Sequence, residues 1–206
     1  MGFYEDYCLP YIVDKACGAA PAQEHRRKIV PMAEGRVLEV GMGSGHNLPF
    51  YDASKVDFVW GLEPSIGMRR RAKKNISQTP IEVRWLDLPG EQIPLEDNSV
   101  DTVLMTYTLC TIPDWQLALQ QMRRVLRPGG KLIFSEHGAA PDASVLKWQN
   151  RITPYWKILG GGCHLNRPIS QYIEDAGFNI TLLETEYTRS TPKIAGFNYR
   201  GLAKIS

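Results

Sequence analysis

The chain has 206 residues, 43% of them hydrophobic, enough to bury one substantial core, and the usual domain size favours one domain over two. Its 24 basic and 22 acidic side chains leave a formal charge of +2, a mixed surface that excludes a field built for nucleic acid or an anionic membrane. The four cysteines, Cys8, Cys17, Cys110 and Cys163, are scattered without CxxC pairing, so they read as free thiols in a reducing cytoplasm, and no metal site is expected.

The N-terminal stretch carries acids where a signal peptide needs basic residues, and no run approaches the ~18 apolar residues of a membrane span, so a soluble intracellular protein is expected. Phe3, Tyr4, Tyr7, Cys8, Tyr11 and Ile12 fall at helical spacing, with Pro10 expected to bend or interrupt the helix. This segment, 1–34, is either a helix packed on the domain or a lid over a ligand. Short β-branched runs at 36–40, 58–62, 81–86, 100–106 and 131–135 predict buried strands separated by helix-like stretches, the alternation of a parallel α/β sheet. The clearest helix covers 115–126, with Leu117, Met122, Val125 and Leu126 on one side; Pro128-Gly129-Gly130 is expected to stop it and turn into the next strand. The stretch 139–176, rich in Trp, Gly, Pro and Arg, reads as an irregular insertion on the substrate side. Runs at 179–186 and 196–205 then complete the sheet as an antiparallel pair.

In EVGMGSGHN, residues 39–47, a hydrophobic strand runs into Gly41, Gly43 and Gly45, where the missing β-carbons allow a sharp turn and a close approach to a ligand before a helix opens. A dinucleotide fingerprint needs its third glycine at position 46, which is His46, so the GxGxG form suits an aminoacyl sulfonium cofactor better than a pyrophosphate. A purely structural turn remains the other reading. Glu63 ends the second strand 20 residues beyond Gly43, where a carboxylate can accept hydrogen bonds from both hydroxyls of a ribose, or serve as a surface cap. Pro64 and Met68 follow; Met68 packs either on an adenine face or in the core.

In order and spacing, EVGMGSGHN, GLEPSIGM, GEQIPLEDNSVDTVL and RRVLRPGGKLIFSEHG resemble the class I S-adenosylmethionine-dependent methyltransferases, over residues 35–138. The resemblance implies a Rossmann-like three-layer α/β sandwich, a seven-stranded mostly parallel sheet with an antiparallel last strand, in a single domain. It also implies that S-adenosylmethionine binds at the C-terminal strand edge and leaves as S-adenosylhomocysteine. The methionine part is expected near Gly41, Met42, Gly43, Gly45 and Asn47, the ribose on Glu63, and the adenine near Gly90 and Glu91, with Asp87 ranked behind them. Thr106 and the residues up to Leu109 are expected beside the methyl group. A narrower resemblance, carried by TLCTIPD, SEHG, Trp148-Gln149 and GGGCHLNRPISQYIEDAGF, is to the small thiol methyltransferases.

A sulfonium carries a good leaving group, so the protein must mainly align a nucleophile and exclude water; a thiol with a pKa near ~8.5 needs little help from a base, an amine or hydroxyl more. His137, at a strand end facing the ligand crevice, is the candidate base, or a histidine satisfied by backbone. Tyr107 either orients the acceptor or packs under the cofactor. Cys163, His164, Asn166 and Arg167 bunch in a Gly-rich loop able to close over a substrate, and Trp148, Tyr155 and Trp156 either line an acceptor pocket or cover the sheet. The expected partner is a small-molecule methyl acceptor, a thiol first, with an amine, phospholipid headgroup or phenol behind it and no nucleic acid. A non-catalytic cofactor binder and a nicotinamide dehydrogenase are the competing readings.

Overall fold

A computed structural model describes residues 8–205. Its strands, in chain order, are β1 (Gly35–Val40), β2 (Val56–Leu62), β3 (Val83–Leu86), β4 (Val100–Thr106), β5 (Leu126–His137), β6 (Phe178–Tyr187) and β7 (Phe197–Ile205). They form one seven-stranded sheet in the order β3-β2-β1-β4-β5-β7-β6. Every pair from β3 to β5 is parallel, and β7 runs antiparallel to both β5 and β6. The helices are α1 (Leu9–Cys17), α2 (Ala20–Ile29), α3 (Ile66–Ile76), α4 (Trp115–Val125), α5 (Ala143–Leu159), α6 (Ile169–Asp175) and the short α7 (Lys193–Gly196).

Neighbouring residues on the central strands point to opposite faces, as the two-residue period requires, and each face has its own core. Leu38, Val103, Met105, Leu132 and Phe134 pack with Leu119 and Met122 of α4 and Ile169 and Ile173 of α6. Val37, Leu104 and Ile133 pack on the other side with Ile29 and with Val30 and Ala33 beyond it. Burial on both faces explains why β4 shows no polar alternation: all seven of its residues are buried.

Four sequence expectations are corrected in detail. Pro128, Gly129 and Gly130 do not separate helix from strand: α4 ends at Val125, β5 begins at Leu126, and the proline-glycine run is an irregularity inside β5, where the register with β4 slips between Val100 and Thr102. Leu117 is 39% exposed, and the buried stripe of α4 is Ala118, Leu119, Met122 and Val125. The stretch 139–176 is not irregular but holds the 17-residue α5 and then α6. Its glycines and prolines mostly mark the ends of those helices; Pro154 alone sits inside α5, whose only buried residues are Gln149 and Thr153, so no apolar stripe advertised it. The glycine loop leads into a 3₁₀ turn at Leu48–Phe50, not an α-helix. Phe3, Tyr4 and Tyr7 lie outside the described residues, and Pro10 sits in the first turn of α1, where its absent N–H costs nothing.

Phe134 is fully buried at the centre of the sheet, against the backbone of Gly201 on β7. Phe134→Ala should cost about 3–5 kcal/mol. The expected signature is a lower urea midpoint with an unchanged slope.

Candidate active site

The chain runs from β1 outward to β2 and β3, then returns to place β4 on the other side of β1. At such a reversal the loops leaving β1 and β4 diverge and open a crevice at the C-terminal strand edge. A cavity of about 430 Å³ occupies that place, within the ~300–1,000 Å³ of small-molecule sites. Its wall comes from the glycine loop, from Glu63, Pro64 and Met68, from the 89–91 turn, from the 106–113 segment after β4, and from Leu9, Val13 and Cys17 of α1. Those last three recur every fourth residue, so one stripe of α1 faces the cavity.

Three buried carboxylates at strand ends hold the surrounding loops. Glu39, near the end of β1, accepts hydrogen bonds from Tyr51 Oη at 2.6 Å and Asn47 Nδ2 at 2.9 Å. The same Asn47 nitrogen reaches Thr106 Oγ1 at 3.0 Å, and Asn47 Oδ1 accepts from Arg26 Nε at 2.9 Å. Glu63 accepts the N–H of Gly43 at 2.9 Å and that of Ser65 at 2.8 Å, one on each oxygen. Glu136 accepts the Thr108 N–H at 2.8 and 3.0 Å, with the next two N–H groups of that turn adding to it. Burial pushes Glu39 and Glu136 up to about 7 and raises Glu63, because these hydrogen bonds offset desolvation only in part.

The glycine loop needs its missing side chains. Gly41 has φ +67°, and a β-carbon there would collide with the Thr108 side chain, whose hydroxyl donates to the Gly41 carbonyl at 3.3 Å. Gly43, at φ +58°, turns its N–H to Glu63 and faces the Met68 methyl. Asp14 ties α1 over this loop: it accepts from Ser44 Oγ at 2.5 Å and pairs with His46 at 2.9 Å and Arg71 at 2.6 Å. The segment before β1 is thus fastened across the cavity by buried and half-buried polar contacts.

Of the sequence-predicted cofactor residues, Gly41, Met42, Gly43, Asn47, Glu63, Pro64, Met68, Gly90, Glu91 and Thr106 all line the cavity. Gly45 does not: its φ of +77° serves the turn, beside Leu48. Asp87 is exposed and outside the lining, 3.9 Å from Arg69. Tyr107 lines the cavity, in the left-handed region at φ +55°, with Arg26 5.2 Å over its ring and its N–H bonded to the Ser135 carbonyl. His137 is not among the lining residues. Its ring lies nearly parallel to that of Tyr107, centroids 6.5 Å apart, and its Nε2 faces Cys163 Sγ at 3.2 Å.

Sequence reasoning did not single out Arg26, Leu9, Val13 or Cys17 as site residues, and all four line the cavity; Thr108, inside the 106–109 stretch expected beside the methyl group, and Gly160 and Gly161 of the Gly-rich loop line it too. A stripe at helical spacing in residues 9–17 was the one signal available. The Gly-rich loop does not hang free. Arg167 is buried and donates to the Leu109 and Ile112 carbonyls, the latter at 2.7 Å, while the His164 N–H donates to the Cys110 carbonyl at 2.9 Å. Asn166 bonds Asn150 at 2.7 Å. Beneath it Cys110, His137 and Cys163 meet. The thiol of Cys110 and then His137 hold Cys163 well below the usual thiol range against its burial, and Cys110 is pushed up in turn. Trp148, Tyr155 and Trp156 are 56%, 71% and 40% exposed, so these rings neither bury themselves over the sheet nor line this cavity.

Residues 38–134 match the methyltransferase domain family. A thiol S-methyltransferase of Rattus norvegicus is 36% identical over 156 residues, 73% of this chain and 63% of that protein. A thiol S-methyltransferase of Homo sapiens is 36% identical over 160 residues, 75% of this chain and 65% of that protein. The chain therefore spans a little under two thirds of these relatives' length. The chain belongs to the class I S-adenosylmethionine-dependent methyltransferases. An S-adenosylmethionine-dependent methyltransferase structure from Aquifex aeolicus shares the fold, with a TM-score of 0.64 at 19% identity, covering 97% of each chain.

The wall of this class I methyltransferase fits the family's methyl donor. Each Glu63 oxygen has one lone pair taken by a backbone N–H and another left for a ribose hydroxyl. Arg26, 3% exposed, supplies a cation for an aminoacyl carboxylate, and Leu62, Met68, Pro89 and Ile112 supply apolar surface for a base.

Glu39 imposes a pH dependence on the fold. Its folded value of about 7 lies above its ordinary 4.5, so between those values the folded chain keeps a proton that the unfolded chain has lost. That contribution is full below the lower value and lost as pH rises through the higher, an effect of up to about 3 kcal/mol. Glu39→Gln should therefore lose less Tm than the parent between pH ~5 and ~8 in thermal melts; equal losses would show that Glu39 is ionised in the fold.

Proposed function

We propose that this chain transfers the methyl group of S-adenosylmethionine to a small-molecule thiol. The donor half of the reading rests on one observation: the Glu63 carboxylate, aimed by the N–H groups of Gly43 and Ser65, stands beside a glycine turn at the reversal point of a parallel sheet. When bound, the donor supplies an electrophilic methyl on a sulfonium. In this reading Glu63 binds the ribose, Arg26 the carboxylate, Met68 with Gly90 and Glu91 frames the adenine, and Thr106 with Tyr107 faces the acceptor.

The acceptor half rests on the wall's chemistry and on the relatives, which are thiol S-methyltransferases. In this reading Glu63 and Arg26 serve the donor, and His46 is paired with Asp14, so none of these three is left as a base for the acceptor. Burial pushes the Tyr107 hydroxyl up, away from any role as a proton acceptor. Such a wall suits a nucleophile that ionises by itself, and a thiol near pKa ~8.5 does so far more readily than an alkyl ammonium or an alcohol. Catalysis then comes from alignment and water exclusion. The described part of segment 1–34 closes one side of the cavity through α1, and the 139–176 segment brings Gly160 and Gly161 to another. Tyr107 walls the acceptor side, and His137, outside the lining, positions it from behind. Four free cysteines support a reducing, cytoplasmic setting, and among the described residues no helix is long and apolar enough to cross a membrane.

Incubation with labelled S-adenosylmethionine and a panel of thiols, amines and phenols should give product from thiols. Product confined to amines or phenols overturns the acceptor assignment, and tight donor binding with no product from any class indicates a binder. Glu63→Ala should weaken donor affinity by ~10- to 100-fold, the loss of a charged acceptor, measured by calorimetry; unchanged affinity places the ribose elsewhere. The pH–rate profile should follow the ionisation of the thiol and keep its shape in His137→Ala, even where the rate falls. A basic limb that disappears in that variant makes His137 the base.

A further inference from the structure

Cys110 leaves the turn after β4, His137 ends β5, and Cys163 sits in the loop between α5 and α6, yet their donor atoms all lie within 4.8 Å of one another. Cys163 Sγ and His137 Nε2 are 3.2 Å apart. A tetrahedral cation with metal–sulfur bonds of ~2.3 Å and metal–nitrogen bonds of ~2.0 Å places two sulfurs about 3.8 Å apart and each sulfur about 3.5 Å from the nitrogen. The cluster therefore needs only small side-chain rotations to close on an ion. The donor set contains two sulfurs, an imidazole and no carboxylate, which selects zinc-like or softer ions and not magnesium or calcium.

The frame around these donors is rigid. The Cys163 loop is stitched to the Cys110 turn by the His164 N–H on the Cys110 carbonyl and by Arg167 on the Leu109 and Ile112 carbonyls. His137 Nδ1 is buried and has no hydrogen-bond partner among the described residues, so the imidazole is held only from its sulfur side. Two thiolates and a neutral imidazole around a divalent ion make a complex of zero net charge, the form a buried site tolerates without a large desolvation cost.

We propose that Cys110, His137 and Cys163 form a binding site for one thiophilic divalent cation of the zinc class, with a fourth coordination position open. The ion clamps the loop carrying Gly160 and Gly161, two residues of the cavity wall, onto the turn carrying Tyr107 and Thr108. It stands independently of the acceptor assignment, because it concerns only the chain's own donors.

Cobalt(II) titrated into the reduced full chain is the test. One equivalent should bind, with a near-ultraviolet thiolate-to-cobalt band and the visible bands of a tetrahedral ion, and zinc should displace it. Cys110→Ser and Cys163→Ser should each weaken the band and the affinity, and both together should abolish the band. His137→Ala should keep a thiolate band but bind at least ~10-fold more weakly, since losing even an outer partner of a metal ligand costs that much. Cys8→Ser should change nothing. Zinc should also protect Cys110 and Cys163 together, and neither Cys8 nor Cys17, from alkylation read by peptide mass spectrometry. A folded, reduced parent chain showing no thiolate band overturns the proposal without recourse to any variant. So does a band that persists in the Cys110→Ser, Cys163→Ser double variant.

Discussion

Burying a carboxylate is costly unless its lone pairs are met, and in this chain that constraint shapes the whole site. Glu39, Glu63 and Glu136 stand at or just beyond the ends of β1, β2 and β5, each shielded from water. Glu39 and Glu63 both hold the glycine loop, Glu39 through Asn47 with Tyr51 beyond it and Glu63 through Gly43 with Ser65 on the next loop, while Glu136 holds the turn after β4 through Thr108. Three parallel strands thus supply three acceptors at one edge, and the loops close around a cavity because that is where their N–H groups find partners. Removing one acceptor would free a loop as well as a charge. Donor binding and local order are one problem here.

A second consequence concerns the helix that precedes the sheet. Asp14 of α1 meets Ser44 and His46 of the glycine loop and Arg71 of α3, so a segment before the first strand is held over residues that follow it. Half-buried ion pairs of this kind contribute more than exposed ones and still leave a helix end able to open. The choice between packed helix and lid resolves into a helix packed by polar contacts, with Leu9, Val13 and Cys17 forming the cavity's outer wall.

The two halves of the site are built differently. The donor half comes from consecutive strand-loop units, in which each residue lies within a few positions of the strand that aims it. The soft cluster beside the proposed acceptor side joins the turn after β4, the end of β5 and the loop after α5, and it forms only when that loop closes on the β4 turn. Arg167 makes that closure specific by spending its guanidinium on carbonyls of the β4 turn, where a free substrate-binding cation had been a natural expectation.

This division accounts for what could be read from the chain before any coordinates. The strand-helix alternation, the glycine spacing and Glu63 at its fixed offset were legible because each is local: a backbone turn and the strand beside it demand those residues at those distances in sequence, whereas Gly90 and Glu91 came only with the resemblance to the methyltransferases. The family and the donor pocket followed from them. The register slip inside β5, the length of α5, the burial of Arg26 and Arg167 and the meeting of Cys110, His137 and Cys163 were not legible. Their cause is packing between segments far apart in sequence: α5 buries almost nothing that a helical pattern would reveal, and a cysteine's neighbours across the fold leave no mark on its neighbours along the chain. Sequence alone determined the glycine turn and the Glu63 on which the proposed donor site rests; only the tertiary structure decided which side chains meet around Cys110, His137 and Cys163, because that cluster is made of contacts which no local rule of backbone geometry specifies.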